Sequence, residues 1–436
     1  MKKCLVVCLA FVMALAFLPL GAQAAKLSED TLAKKKEGWY PTGLPLVNFS
    51  SDDGFGYGAR VYMYYNGSKE DPYFDSTPYF MQLYAQYYAT TNGVSYHELN
   101  LDMPYLAGST FRIKSALVLN RDRNANYFGR GADAAQQKIL NPLDGTTTYS
   151  NYSDYQDFID DHKEYMKFYK YDINKPKGYF YLFSNVTEEL KLMIGAEFKK
   201  IGIHSWAGES GKEVDHVLQQ PTALDRDNPL GRDGGWTNYA RAGIGYNTRD
   251  FEPDPKKGYY LDYCFEVSNG ALGSEYDFTK HNVQAMYFLS PLNSLTFAFR
   301  AGYTTAANDI PFYEQDWFGF ALERRQGLGG NRTLLGYKKG RFAGKTMTVG
   351  NAEARWQFGE LTGAGQRFGF KLIGLAAAGN VFDEAGDPFT DPRFDEYFTT
   401  FGGGLAIAWN LNTIVHFLYG VSKEDTGISI DFNYTF

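Results

Sequence analysis

Six histidines are the natural candidates for proton transfer in this chain: His97, His162, His204, His216, His281 and His416. None stands in a Gly-x-Ser-x-Gly or His-Glu-x-x-His context, the spacings that expose a nucleophile on a sharp turn or set two metal ligands on one helix face. Asp383, Glu384, Asp387, Asp391, Asp395 and Glu396 offer hard oxygen ligands, but their spacing matches no calcium loop. That run, like the acidic run 154–161, reads as a solvated loop. No catalysis, metal or cofactor is expected. Arg60, Arg241, Arg300, Glu353 and Arg355 are a different kind of set. They fall on the polar faces of alternating segments, where they could select solutes or pair and hydrate a wall.

The segments that carry these charges alternate with period two, as strands do. Tyr259, Leu261, Tyr263, Phe265 and Val267 alternate with Tyr260, Asp262, Cys264, Glu266 and Ser268. Phe55, Tyr57, Ala59, Val61 and Met63 alternate with Gly56, Gly58, Arg60, Tyr62 and Tyr64. The same pattern holds over 295–301, 351–358 and 428–436. Strands are expected near 43–50, 54–65, 78–90, 94–104, 110–120, 165–184, 189–202, 236–248, 257–268, 277–289, 294–303, 346–358, 367–378, 398–409, 412–421 and 427–436, the sixth interrupted near Pro176. That is about 16, an even number. The long connections, 121–164, 203–235, 304–345 and 379–397, all follow odd strands. The others are short, apart from 66–76. Short periplasmic turns and long outer loops are the habit of a bacterial membrane barrel.

The start of the chain agrees. Lys2 and Lys3, an apolar run to Leu20 and Gly21-Ala22-Gln23-Ala24 form a secretory signal peptide over 1–24. Its removal takes two of the 43 basic residues, leaving 41 against 50 acidic ones, which disfavours nucleic acid as a partner. It also leaves Cys264 alone, so no internal disulfide is expected. No other run of about 18 apolar residues exists, and in lipid only helices and closed barrels satisfy the backbone. Residues 25–40 form a short periplasmic segment, and 41–436 an all-β, transmembrane antiparallel barrel in the outer membrane.

From about residue 40 the chain resembles the bacterial surface antigen superfamily, which includes the barrel-assembly insertase and the two-partner-secretion transporters. Asn124 to Gly131 resembles its Tyr/Phe-Gly-x-Gly segment. Asn247-Thr248-Arg249-Asp250 with Pro255 and Gly258 resembles its Asp-Thr-Arg-Asp hairpin, and Ala378 to Phe382 the end of its thirteenth strand. Gly329, Gly330, Asn331, Arg332, Leu335, Gly336, Tyr337, Gly340, Arg341 and Phe342 resemble the lid loop, which in relatives folds back into the lumen. Asn351 to Arg355 resembles the strand after it. Two departures are paired. Leu335 stands where the family has an arginine, and Ala377 where it has the aspartate that binds it. Losing one partner of a buried pair is costly, whereas replacing both by apolar residues is near neutral. The lid is therefore expected to dock by apolar contact, with Arg332 or Arg341 reaching Glu353 or another wall carboxylate.

The resemblance implies a part in assembling or translocating protein or lipid at the outer membrane, with outer-membrane lipid, the barrel-assembly machinery and client proteins as partners. Ile430, Phe432, Tyr434 and Phe436 resemble the aromatic tail by which that machinery recognises its substrates. A weak seam is expected between the first strand, which contains Pro45, and the last. The rival readings are a passive gated channel and a structural or adhesive barrel working through its outer loops.

Overall fold

The structure is a computed structural model and describes residues 35–75, 77–208, 221–321, 323–363, 366–409 and 413–436. The signal peptide and residues 25–34 of the short periplasmic segment lie outside the described residues, as do His216 and residues 410–411.

Sixteen strands form one closed antiparallel barrel. They are β1 Trp39–Ser50, β2 Gly54–Tyr65, β3 Met81–Thr90, β4 Val94–Met103, β5 Phe111–Asn126 and β6, which comes as Lys170–Asn174 and Lys177–Asn185. Then follow β7 Leu190–Ser205, β8 Tyr239–Asn247, β9 Gly258–Ser268, β10 Phe278–Leu292, β11 Leu295–Asn308 and β12 Thr346–Gly363. The last are β13 Gln366–Phe382, β14 Phe398–Trp409, β15 Thr413–Ser422 and β16 Thr426–Phe432. Each pairs with the next, and β16 returns to β1. Among the described residues no helix is long and apolar enough to cross a membrane; the strands do the crossing.

The period-two faces sort as the sequence implies. On β9, Leu261 is 47% exposed on the outer wall, while Glu266 is fully buried inside. On β2, Phe55, Tyr57, Val61 and Met63 face out. The break in β6 falls at Lys175–Pro176, because a proline nitrogen donates nothing to a ladder.

Several strands run past their expected ends, β5 to Asn126, β11 to Asn308 and β12 to Gly363, and two ends shape the seam. β1 begins at Trp39 rather than Gly43 and so takes in Pro41 as well as Pro45. β16 stops at Phe432 rather than Phe436. Asn433 adopts φ +64°, a left-handed turn that asparagine tolerates. The chain then leaves the wall. Ile430 and Phe432 stay on the strand, but Tyr434 and Phe436 are buried inside instead of continuing the outward-facing tail. Polar partners in the lumen, described next, outcompete continuation of the ladder.

Candidate functional site

The interior is occupied by the segment that links β11 to β12. A short hairpin, Trp317–Gly319 against Arg324–Gln326, sits against the wall of β7 to β10. Arg324 is its anchor. Its guanidinium lies 2.9 Å from Glu314, 3.4 Å from Glu197 and 3.9 Å from Glu266, and bonds the Tyr239 phenol. Lys199 reaches Glu314 at 2.5 Å and Glu197 at 3.4 Å. Arg241 pairs with Glu266 at 2.9 Å and donates to the carbonyls of Gly319 and Phe320 at 2.9 and 2.8 Å. Lys280 donates to the Glu314 carbonyl at 2.9 Å. Every one of these groups lies deep in the interior, where each charge depends on its partners.

Residues 328–342 continue across the interior toward β11–β16. Leu328, Leu334, Tyr337 and Phe342 are buried with Met347, Val349, Ala377 and Val381. Phe342 stacks on Phe398 with ring centres 3.6 Å apart. Leu335 joins Ile373, Ala406 and Leu418. Leu335 and Ala377 line one small void, so the positions where relatives carry an ion pair are both apolar and both buried. Arg300 donates to the Arg332 carbonyl at 3.0 Å and Asn351 to the Thr333 carbonyl at 3.0 Å. Neither loop arginine finds Glu353; Arg332 takes a carboxylate on the wall and Arg341 one in the β15–β16 connection. Arg332 pairs with Asp431 at 2.5 Å and Arg341 with Glu424 at 2.8 Å, both near the β15–β16 end of the wall. Glu353 is taken by Arg355 at 2.8 Å, its neighbour on the same face of β12.

The turn 336–341 is tied to the β1–β2 connection. The Lys339 amide donates to Asp52 at 3.1 Å, and its ammonium pairs with Asp53 at 3.1 Å and Asp122 at 3.3 Å. Burial alone would lower the Lys339 ammonium; Asp53 and Asp122 more than reverse this and hold it above its ordinary value. Gly329 and Gly336 take φ +105° and +113°. A Cβ on Gly329 would fall on the Lys338 carbonyl. Gly329→Ala is therefore expected to cost more than the ~1 kcal/mol of an ordinary Gly-to-Ala strain. The check is earlier cleavage within 323–345 under limited proteolysis.

The residues after β16 are clasped by side chains from several parts of the interior, Arg332 among them, which donates to the Tyr434 carbonyl at 2.9 Å. The Tyr434 hydroxyl donates to Asp254 at 2.9 Å. Lys371 reaches the same carboxylate at 2.5 Å and the same hydroxyl at 2.9 Å. The Arg355 guanidinium lies 3.6 Å from the centre of the Tyr434 ring and donates to the Phe436 carbonyl at 3.2 Å. Arg325 donates to the Thr435 carbonyl at 2.7 Å. Because this tail turns inward, the barrel seam is thin. β1 and β16 share two register pairs, Phe49–Ile430 and Ser50–Ser429, where every other neighbouring pair of barrel strands has six or more. Below Phe49 the free edge of β1 has, among the described residues, no strand paired to it. Behind that gap lies a cavity of about 730 Å³, bounded by Leu44, Leu46 and Val47 on β1, Phe432 on β16, and Arg60 with its partners Gln86 (2.8 Å) and Tyr62 (2.9 Å).

A family model for the Omp85 superfamily domain matches residues 84–432. The chain belongs to the Omp85 superfamily. A domain of unknown function, DUF5982, matches residues 20–80. Among solved structures, this Omp85 chain is similar to BamA from Haemophilus ducreyi lacking POTRA domains 1–3, with TM-score 0.55 and 11% identity, over 91% of this chain and 70% of that one. It is also similar to CdiB from Escherichia coli, with TM-score 0.52 and 10% identity, over 91% of this chain and 63% of that one. At such identities the likeness establishes the fold. No curated protein matches. The superfamily is one of outer-membrane barrels rather than enzymes, and the outer membrane is where this Omp85 barrel resides.

Sequence reasoning named Arg241, Arg300, Glu353 and Arg355 on the wall and the loop that meets them. It missed the anchor built from Arg324, Glu314, Glu197, Lys199 and Lys280. A signal existed: Glu197 and Lys199 share one face of β7, two residues apart, and Glu314 and Arg324 flank the aromatic run from Trp317 to Phe320.

Proposed function

We propose that this barrel acts in outer-membrane assembly or translocation, and that its β1–β16 seam is the passage by which a hydrophobic client moves between lumen and bilayer. The observation that carries this reading is the two-pair seam with an unpaired β1 edge directly in front of a polar cavity. An unpaired edge is a liability that proteins cover or blunt unless it is used. The inward tail keeps that edge uncovered, held by the buried contacts of Tyr434, Arg355 and Lys371. The interior segment supports the same reading over a passive channel: charged groups that could line a pore are spent on holding residues 312–342 in place.

The test is photocrosslinking in cells. With p-benzoylphenylalanine at Val47 or Phe432, adducts are expected well above those from the same residue at Tyr287 on the opposite outer wall. Equal yields at all three sites count against the seam. In planar bilayers the intact chain is expected to show no large steady conductance. A steady pore that widens when residues 329–342 are deleted would favour the gated channel instead.

A further inference from the structure

In an antiparallel ladder the N–H and C=O of one residue point to the same neighbour, and the side they face alternates along the strand. The even residues of β1 serve β2, in line with the Asn66 amide bonding the Gly38 carbonyl, and the Gly38 amide the Gly67 carbonyl, at 2.9 Å each. The odd residues face β16. The Ser51 amide donates to the Ile428 carbonyl at 3.1 Å, and Phe49 stands opposite Ile430. The unpaired stretch below therefore presents Trp39, Pro41, Gly43, Pro45 and Val47 to the gap. Pro41 and Pro45 have no N–H. The ladder to β2 loses nothing by this, and the two strands pair along their whole length. The free edge loses two of its five donors. A strand added there would leave two of its own carbonyls against proline rings, in a bilayer that offers no water to satisfy them.

The cavity behind the gap has two characters. On the seam side it is bounded by Leu44, Leu46, Val47 and Phe432; elsewhere its lining is polar and charged, with Lys175 and Asp316 among Arg60, Asp122, Lys170 and Lys339. Lys175 occupies the break in β6 beside Pro176, where its amide still donates to the Asn120 carbonyl of β5 at 2.6 Å. Its ammonium has the Trp317 ring at 5.6 Å and feels the Asp122 and Asp316 carboxylates, but among the described residues it closes no hydrogen bond or ion pair with either. Oδ1 of Asp316 is buried and has no donor. A buried polar atom without a partner is uncommon and asks for one.

Taking the seam as a passage, we propose that what uses it is a zwitterionic phospholipid and not a β-strand: the phosphate meets Lys175, the amine meets Asp316, and the acyl chains trail into the bilayer through the gap that Pro41 and Pro45 keep free of a ladder. The apolar rim accommodates the chains, and the cavity of about 730 Å³ has room for the headgroup with water.

The test reconstitutes the full chain in phosphatidylcholine vesicles doped with a photoactivatable phosphatidylethanolamine and maps the adducts by mass spectrometry. Adducts are expected on Leu44 to Val47 in excess of the outward wall of β10. They should fall roughly fivefold in Lys175→Gln/Asp316→Asn, the change expected for loss of one or two hydrogen bonds to a headgroup. A photoactivatable diacylglycerol, which lacks the headgroup, should be indifferent to that variant. A yield unchanged by the double substitution overturns the headgroup site. In a second arm, Gly43→Cys is offered a cysteine-bearing peptide with the aromatic C-terminal pattern of an outer-membrane strand. Trapping is expected only when Pro41→Val and Pro45→Val restore the donors. Equal trapping on the native edge overturns the lipid assignment but leaves the seam as a passage. If neither probe prefers the seam to the β10 wall, the seam reading falls as well.

Discussion

Arg324→Ala is expected to destabilise the barrel by about 3–5 kcal/mol, the cost of breaking a buried ion network by removing one partner. Arg324 faces Glu314, Glu197 and Glu266 together, and all three carboxylates are buried. Lys199 would still compensate Glu314 and Glu197, and Arg241 would still compensate Glu266, so the loss should fall within that range rather than exceed it. Urea unfolding followed by tryptophan fluorescence in detergent gives the number. A second readout separates the anchor from the wall. Because Arg324 lies in the interior segment and not on a barrel strand, its loss should release residues 312–326 to protease before the barrel loses its resistance to SDS at room temperature. If the substitution costs under ~1 kcal/mol, as exposed pairs do, Arg324 is not the anchor.

Asp254→Ala is expected to cost about 3–5 kcal/mol as well, for the same reason seen from the other sign: it strands the Lys371 ammonium among buried groups. Tyr434→Phe touches the same site and is expected to cost only about 1–2 kcal/mol. It removes one hydroxyl, while the Asp254–Lys371 pair and the Arg355 stacking survive. The contrast is the test. The two variants should also differ at the seam. Without Asp254 the inward position of Tyr434 loses its principal acceptor, so Asn433 to Phe436 should gain protease sensitivity. In Tyr434→Phe they should not. Equal costs for the two variants would mean that the clasp is held by packing and not by charge.

The replaced ion pair shows how far resemblance reaches. Leu335 and Ala377 depart from the family together, and double replacement predicts an apolar contact. Both residues line one small void, but they pack in separate apolar clusters, Leu335 with Ile373 and Leu418 and Ala377 with Leu334 and Val381. The partners of the loop arginines were not legible in the same way. Glu353 stood in the resembling strand, but on β12 it lies two residues from Arg355, and that pair closes locally at 2.8 Å. Asp431 and Glu424 became the partners of Arg332 and Arg341 because the loop comes down beside β15 and β16, a placement that no local pattern encodes.

What the amino-acid order determined by itself was everything local and periodic. Side chains on a strand alternate with a period of two, so one face of each strand can be read without knowing its neighbours. From that came the strand number, the inward face carrying Arg60, Arg241, Arg300 and Arg355, and the break at Pro176. Proline chemistry made the weakness of β1 visible through Pro45. The weak seam was expected between the first and last strands; the tertiary structure alone decided how closure fails on the β16 side. The period-two pattern of Ile428 to Phe436 runs on without interruption, and nothing within it says that the strand should stop at Phe432. It stops because Asp254, Lys371 and Arg355, distant in sequence, offer Tyr434 and Phe436 buried polar and cation–ring contacts. These outweigh a ladder with an edge that lacks two donors. That competition between a local pattern and long-range charge opens the seam.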